Sequence, residues 1–319
     1  MTETPFPRAS SWSIITSRRS WQAHVLALSL RVYRVWTRFQ SQDLSVQRAS
    51  QDAFGAHLPL APNVQFIPLA VGDCPAEWVI PPNALLDRAI LYLHGGAYIG
   101  GSLTLHRGLV SRIAASSRVQ VLNLSYRLAP EHPYPAALED ATSAYQWLLT
   151  HGVDAHHLLI AGDSAGGGLA AALLVTLRDS HLPQPAGAAF LSPWTDLSDT
   201  ERSWERREAS DLLLTPSSLH RGALHYLGTH SPHMPLASPV YADLHGLPPL
   251  FIQVGGNELL LDDIHAFARH AEEAGVTVQV EEWPGMFHVW QMMAATLPEA
   301  QRALEHLGHF IDAVLEEKE

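Results

Sequence analysis

Apolar residues recur along this chain in short continuous runs, separated by stretches in which they return every third or fourth position. The runs at 64–70, 77–80, 89–94, 119–125, 157–162, 186–191, 250–255 and 277–282 read as eight strands. The interior ones stay apolar without alternating, as strands buried on both faces of a parallel sheet do. Helical periodicity fills the spaces at 105–116, 136–150, 165–179, 262–274 and 298–317. Gly275 follows the fourth helix where a stop is expected. Strand alternating with helix predicts an α/β fold, with a mostly parallel central sheet of about eight strands flanked by helices. Its ligand site should lie at the carboxyl ends of the strands.

Two regions break the rhythm, residues 1–50 and residues 194–247. A structureless connection as long as the second is unusual in a compact domain. Leu219, Ala223 and Leu227, with residues 212–214, give it a partial helical stripe. The expected organisation is therefore a main domain of 51–193 and 248–319, covered by a helical cap. An N-terminal segment, 1–50, and an insertion, 194–247, build that cap. Within 21–39, Arg31, Arg34 and Arg38 interrupt the apolar residues, so this is no membrane span. The arginines share one helical face, with Val25, Leu28, Val32 and Val35 near the other. An amphipathic helix packed over the main domain is expected, with contact to an anionic interface as the alternative.

Charge and cysteine content narrow the function classes. A net charge of −12 argues against a nucleic-acid partner, which needs a basic face. The first 50 residues run against that balance, with seven arginines facing Glu3 and Asp43, a net of +5. Cys74 is the single cysteine, which excludes a disulfide framework and a cysteine-rich metal site and fits a cytoplasmic location. Residues 1–20 hold no long apolar core of the kind a leader needs.

The most informative segment is Gly162-Asp163-Ser164-Ala165-Gly166, set between an apolar run and a small-residue helix. Strand, sharp turn and helix is the setting of a G-x-S-x-G nucleophile elbow. Glycines at 162 and 166 remove the Cβ atoms that would collide there, and Ser164 would stand at a helix N-terminus. A serine hydroxyl is a weak nucleophile and needs a base, an orienting acid and an oxyanion hole. His288, after the last expected strand beside Pro284 and Gly285, is the candidate base. Glu258 is the candidate acid, with Asp262 and Asp263 as rivals in the same segment. The oxyanion hole would draw on backbone N–H groups of Gly95, Gly96 and Ala97, completed by Ala165. Ala97 keeps its N–H, and serves the hole if its φ is negative.

Together His94-Gly95-Gly96-Ala97-Tyr98, the segment Tyr126-Arg127-Leu128-Ala129-Pro130-Glu131-His132-Pro133, the elbow, Leu247-Pro248-Pro249-Leu250 and residues 285–288 resemble the bacterial hormone-sensitive lipase family of α/β-hydrolases. The resemblance implies a carboxylesterase for short- to medium-chain acyl esters, acting through an acyl-enzyme with no cofactor or metal. It also implies that His94 shapes the oxyanion loop and that Arg127 and Glu131 form an ion pair. Amidase or lactonase action on the same residues is the nearer alternative; a non-catalytic receptor on this fold is the remoter one. The expected partner is a small-molecule acyl ester, and the last strand or the C-terminal helix offers a surface for a homodimer. Trp194, residues 212–214, Tyr226 and Phe287 are candidates to line the substrate pocket.

Overall fold

The computed structural model describes residues 9–16, 19–37, 43–198, 204 and 207–316. Their strands are β1 (Ser11–Ile14), β2 (Gln65–Val71), β3 (Cys74–Ile80), β4 (Leu85–Leu93), β5 (Val119–Leu124), β6 (Leu158–Asp163), β7 (Gly187–Leu191), β8 (Leu250–Gly255) and β9 (Val278–Trp283). They form one sheet in the order β1-β9-β8-β7-β6-β4-β5-β3-β2. Only β3 runs against the others, pairing antiparallel with β5 and β2. Alternate residues of the central strands feed two cores. Leu91, Leu93, Ile160 and Ile252 face one; Ile90, Tyr92, Leu159 and Phe251 face the other. Burial on both faces explains the unbroken apolar runs.

Helices α3 (Leu103–Ser117) and α8 (Pro298–Leu315) cover one face, while α4 (Ala136–Thr150), α5 (Ala165–Asp179) and α7 (Leu261–Glu273) cover the other. The remaining helices are α1 (Trp21–Thr37), α2 (Leu44–Gly55) and α6 (Pro216–Leu227). α6 starts with a Thr215–Ser218 capping box, and its stripe Leu219, Ala223 and Leu227 is buried as expected. Among the described residues, no helix is long and apolar enough to cross a membrane.

Two features depart from the sequence reading. A ninth strand, β1, lies in the N-terminal segment and pairs parallel with β9. Four residues on a sheet edge, three of them exposed, carry no periodic signal. Because β1 occupies the β9 edge, the surface expected for a homodimer through the last strand is already covered. The second departure is the orientation of α1. Ala23, Leu26, Ala27 and Leu30 pack inward, while Val25, Leu28 and Val32 face solvent. Arg38, the side chain of Val35, Glu317 and residues 199–203 lie outside the described residues.

Candidate active site

The carboxyl ends of β4, β6, β7, β8 and β9 lie side by side, and each contributes a loop to one site. At the end of β6 the chain turns through Ser164 with φ +52°, a region few non-glycine residues enter. A Cβ at Gly162 would meet the Gly166 carbonyl, and one at Gly166 would meet the carbonyl oxygens of Leu93 and His94. Only glycine fits either position. α5 therefore begins without a side-chain cap, because the Ser164 hydroxyl is turned elsewhere.

Ser164 Oγ lies 2.8 Å from His288 Nε2. His288 Nδ1 lies 2.8 Å from Glu258 Oε2. The other carboxylate oxygen of Glu258 accepts from Ser192 Oγ and from the Gly255 N–H, both at 2.6 Å. An ionised carboxylate fixes the proton on Nδ1, which leaves Nε2 to accept from the serine. The rivals face other partners. Asp262 meets Arg207 at 2.8 Å, and Asp263 accepts from Trp204 Nε1 at 3.2 Å. Burial disfavours the His288 imidazolium, but the bond to Glu258 and the charges of Glu258, Asp211 and Asp163 outweigh it. Its pKa ends above the ordinary histidine value.

The expected oxyanion donors divide. Gly95 N–H donates to Asp163 Oδ1 at 2.9 Å, so it is committed to the scaffold and not to a substrate oxygen. The N–H groups of Gly96, Ala97 and Ala165 donate to no described residue. Ala97 has φ +54°, not the negative value expected. The amide proton is retained there; the cost is the strain of a Cβ in the left-handed region, about 1 kcal/mol. Its methyl rests against α6, where a Cβ on Gly222 would stand 2.9 Å from Ala97 Cβ.

The α/β-hydrolase fold family matches residues 90–292. The chain belongs to the α/β-hydrolase family. It is 48% identical over 262 residues to an acetyl-hydrolase from Streptomyces hygroscopicus, covering 82% of this chain and 86% of that one. A crystal structure of an esterase from the bacterial hormone-sensitive lipase family superposes with a TM-score of 0.89 at 41% identity, covering 94% of this chain and all of the other. An esterase crystal soaked with p-nitrophenyl butyrate superposes equally well at 40% identity, covering 93% of this chain and 100% of that one. These likenesses place this α/β-hydrolase in the bacterial hormone-sensitive lipase family.

Ser164 opens into a pocket of about 310 Å³. Gly96, Ala97 and His288 line its floor; Leu44, Gln47 and Arg48 of α2, with Leu213, Leu214 and Leu219, form the facing wall. Of the expected lining residues, only Leu213 and Leu214 reach it. Trp194 and Tyr226 are core, with Tyr226 stacked on Tyr98 at 3.6 Å between ring centres. Arg48 holds the wall by donating to Ile99 O, to Ala129 O and, through both terminal nitrogens, to the Glu131 carboxylate. The expected Arg127–Glu131 pair does not form, because Arg127 turns to Asp140 and Glu139.

Beneath this hydrolase's oxyanion loop lies a polar layer that sequence reasoning missed. Asp163, the second residue of the elbow, accepts from Tyr92 Oη at 2.7 Å and from Gly95 N–H, and stands 3.5 Å from His106 Nε2. Burial opposes charge on both partners, but each favours the charged form of the other. His106 titrates above and Asp163 below its ordinary value. His94, stacked on Tyr126 and His106, is pushed down to about 4 by burial and by the His106 charge, and stays neutral. Ser192, at the end of β7, bonds both Glu258 and the Val289 N–H. Its place between the strands carrying Ser164 and Glu258 was the available signal. Asp211 accepts the N–H groups of Leu213, Leu214 and Leu259, tying the pocket wall to the Glu258 loop. No motif marks it.

Proposed function

We propose that this chain is a carboxylic ester hydrolase acting through an acyl-enzyme on Ser164. The continuous hydrogen-bonded line Glu258–His288–Ser164, ending beside three N–H groups that donate to no described residue, carries the reading. Ser164 Oγ attacks the ester carbonyl as His288 Nε2 takes its proton, and the N–H groups of Gly96, Ala97 and Ala165 hold the oxyanion. His288 then gives the proton to the leaving alcohol. Water, deprotonated by His288, attacks the acyl-enzyme, and the carboxylic acid leaves as Ser164 recovers its proton. Glu258 steadies the imidazolium in both halves.

α1, α2 and the described residues of 194–247 act in this proposal as the cap over the strand ends, while residues 11–14, as β1, belong to the central sheet. α2, residues 213–214 and α6 supply the pocket wall. A pocket of about 310 Å³ lies at the small end for ligand sites and supports short- to medium-chain acyl groups. The buried Cys74 thiol is pushed up to about 12 by burial and by Asp140. It stays protonated, so it does not compete with Ser164 as a nucleophile; a lone cysteine in the chain accords with a cytoplasmic location.

Turnover of p-nitrophenyl esters from acetate to palmitate tests the proposal, with matching anilides and lactones alongside. Rates should peak at the short acyl chains and fall steeply for anilides. Ser164→Ala should lower kcat by about 10⁵-fold with an unchanged melting temperature. Ester turnover persisting in that variant would end the assignment.

A further inference from the structure

We propose that the outer face of α1 docks on an anionic lipid bilayer. An amphipathic helix on a protein surface buries its apolar stripe and shows a polar one; α1 is apolar on both faces. Trp21, Val25, Leu28 and Val32 fall within one narrow stripe at helical spacing and are 72%, 55%, 63% and 65% exposed. Ala23, Leu26, Ala27 and Leu30 occupy the opposite face and pack on the core.

The helix is held so that it cannot roll the outer stripe inward. At its start, Ser20 Oγ accepts the Ala23 N–H, while the buried Glu299 carboxylate accepts from both Ser20 N–H, at 2.6 Å, and Ser20 Oγ, at 2.9 Å. Near its end, Arg34 Nη1 donates to the carbonyl oxygens of Glu208, at 2.7 Å, and Asp211, at 2.5 Å. Both ends are clamped with the apolar stripe facing water.

Charge complementarity selects the occupant. Between Glu3 and Asp43 the chain carries six arginines and no acidic residue, in a protein of net charge −12. Arg31 is exposed beside the stripe. A tryptophan-headed apolar stripe flanked by arginine is the pattern of a helix lying in a bilayer interface, its apolar side chains among the acyl chains and its cations at anionic headgroups.

Sedimentation of the full-length protein with phosphatidylcholine vesicles, with and without phosphatidylglycerol, is the test. The protein should pellet with the phosphatidylglycerol vesicles, remain free of pure phosphatidylcholine, and be released by salt. The triple substitution V25S/L28S/V32S should weaken binding by at least about tenfold, and Arg31→Gln by about fivefold. Neither should alter turnover of a soluble ester, since none of these residues lines the pocket. Arg31→Gln removes no packing, so it reports on docking even if the triple variant folds poorly. Equal binding to both vesicle types, binding to neither, or binding unchanged by Arg31→Gln would each overturn the proposal. So would a dimer, seen by light scattering, that the triple variant dissolves. The sedimentation reads no hydrolysis, so its failure leaves the ester-hydrolase reading intact, and the reverse also holds.

Discussion

The floor and the wall of the pocket are held by different means. On the floor, Ser164, Glu258 and His288 sit at the ends of β6, β8 and β9, and every polar partner is buried: Ser192, Gly255 N–H, Asp163 and His106. Such a network has no water to fall back on, so it permits one arrangement. The wall has one buried anchor, Asp211, which accepts the N–H groups of Leu213 and Leu214; its other ties are charged groups near solvent. Arg48 meets Glu131, and Arg207 meets Asp262, with side chains from 25% to 54% exposed. Pairs in that setting contribute about 0–1 kcal/mol each. Buried hydrogen bonds fix the floor, while half-exposed ion pairs supply part of the hold on the wall.

After loss of the nucleophile, loss of the acid should have the largest consequence. Glu258→Gln should lower kcat by about 10³–10⁴-fold, because the amide no longer fixes the histidine tautomer. Asp262→Asn should change kcat less than about threefold, since its pair with Arg207 lies near solvent and away from His288. Steady-state kinetics on both variants decides it, and a larger loss from Asp262→Asn would move the acid to the wall side.

The pH profile comes next. His288 must be neutral to take the serine proton, and its pKa is raised. The acid limb of kcat/KM should therefore have its midpoint above the ordinary histidine value, with activity falling about tenfold per pH unit below it. In Glu258→Gln the main raising partner is gone and burial prevails, so the midpoint of the residual activity should move down. A midpoint that stays in place would show that the carboxylate does not set the titration.

Effects at the wall should be smaller and of a different kind. Arg48→Gln should raise KM about threefold to tenfold with kcat within twofold, and lower the melting temperature by about 2–4 °C. An equal loss in kcat would mean that the wall helps to set the floor, through Ile99 and the oxyanion loop. Smallest of all, Ala97→Gly relieves left-handed strain but frees the unfolded chain. The melting temperature should shift by less than about 2 °C. Because the methyl faces α6, kcat/KM for bulkier esters relative to acetate should be unchanged.

Much of the floor was legible along the chain. The strands and helices that carry it announced themselves by period, and Ala136–Thr150 and Ala165–Asp179 fall where their periodicity puts them. The elbow was legible because a turn at Ser164 imposes glycine at 162 and 166 whatever surrounds it. The wall was hardly legible. Trp194 and Tyr226 look like lining residues but are core, while Arg48 gave no sign of its three-way grip.

What the sequence determined by itself follows from short-range rules: strand and helix period, the steric demand of a tight turn, and the order of serine, acid and histidine. Which carboxylate meets His288 depended on where the ends of β8 and β9 lie in the sheet. That Gly95 donates inward to Asp163 and not toward substrate depended on two strands meeting side by side. Which stripe of α1 faces water depended on Glu299, 279 residues along the chain from Ser20. Both stripes have helical period, and periodicity marks an apolar face without saying what stands opposite it.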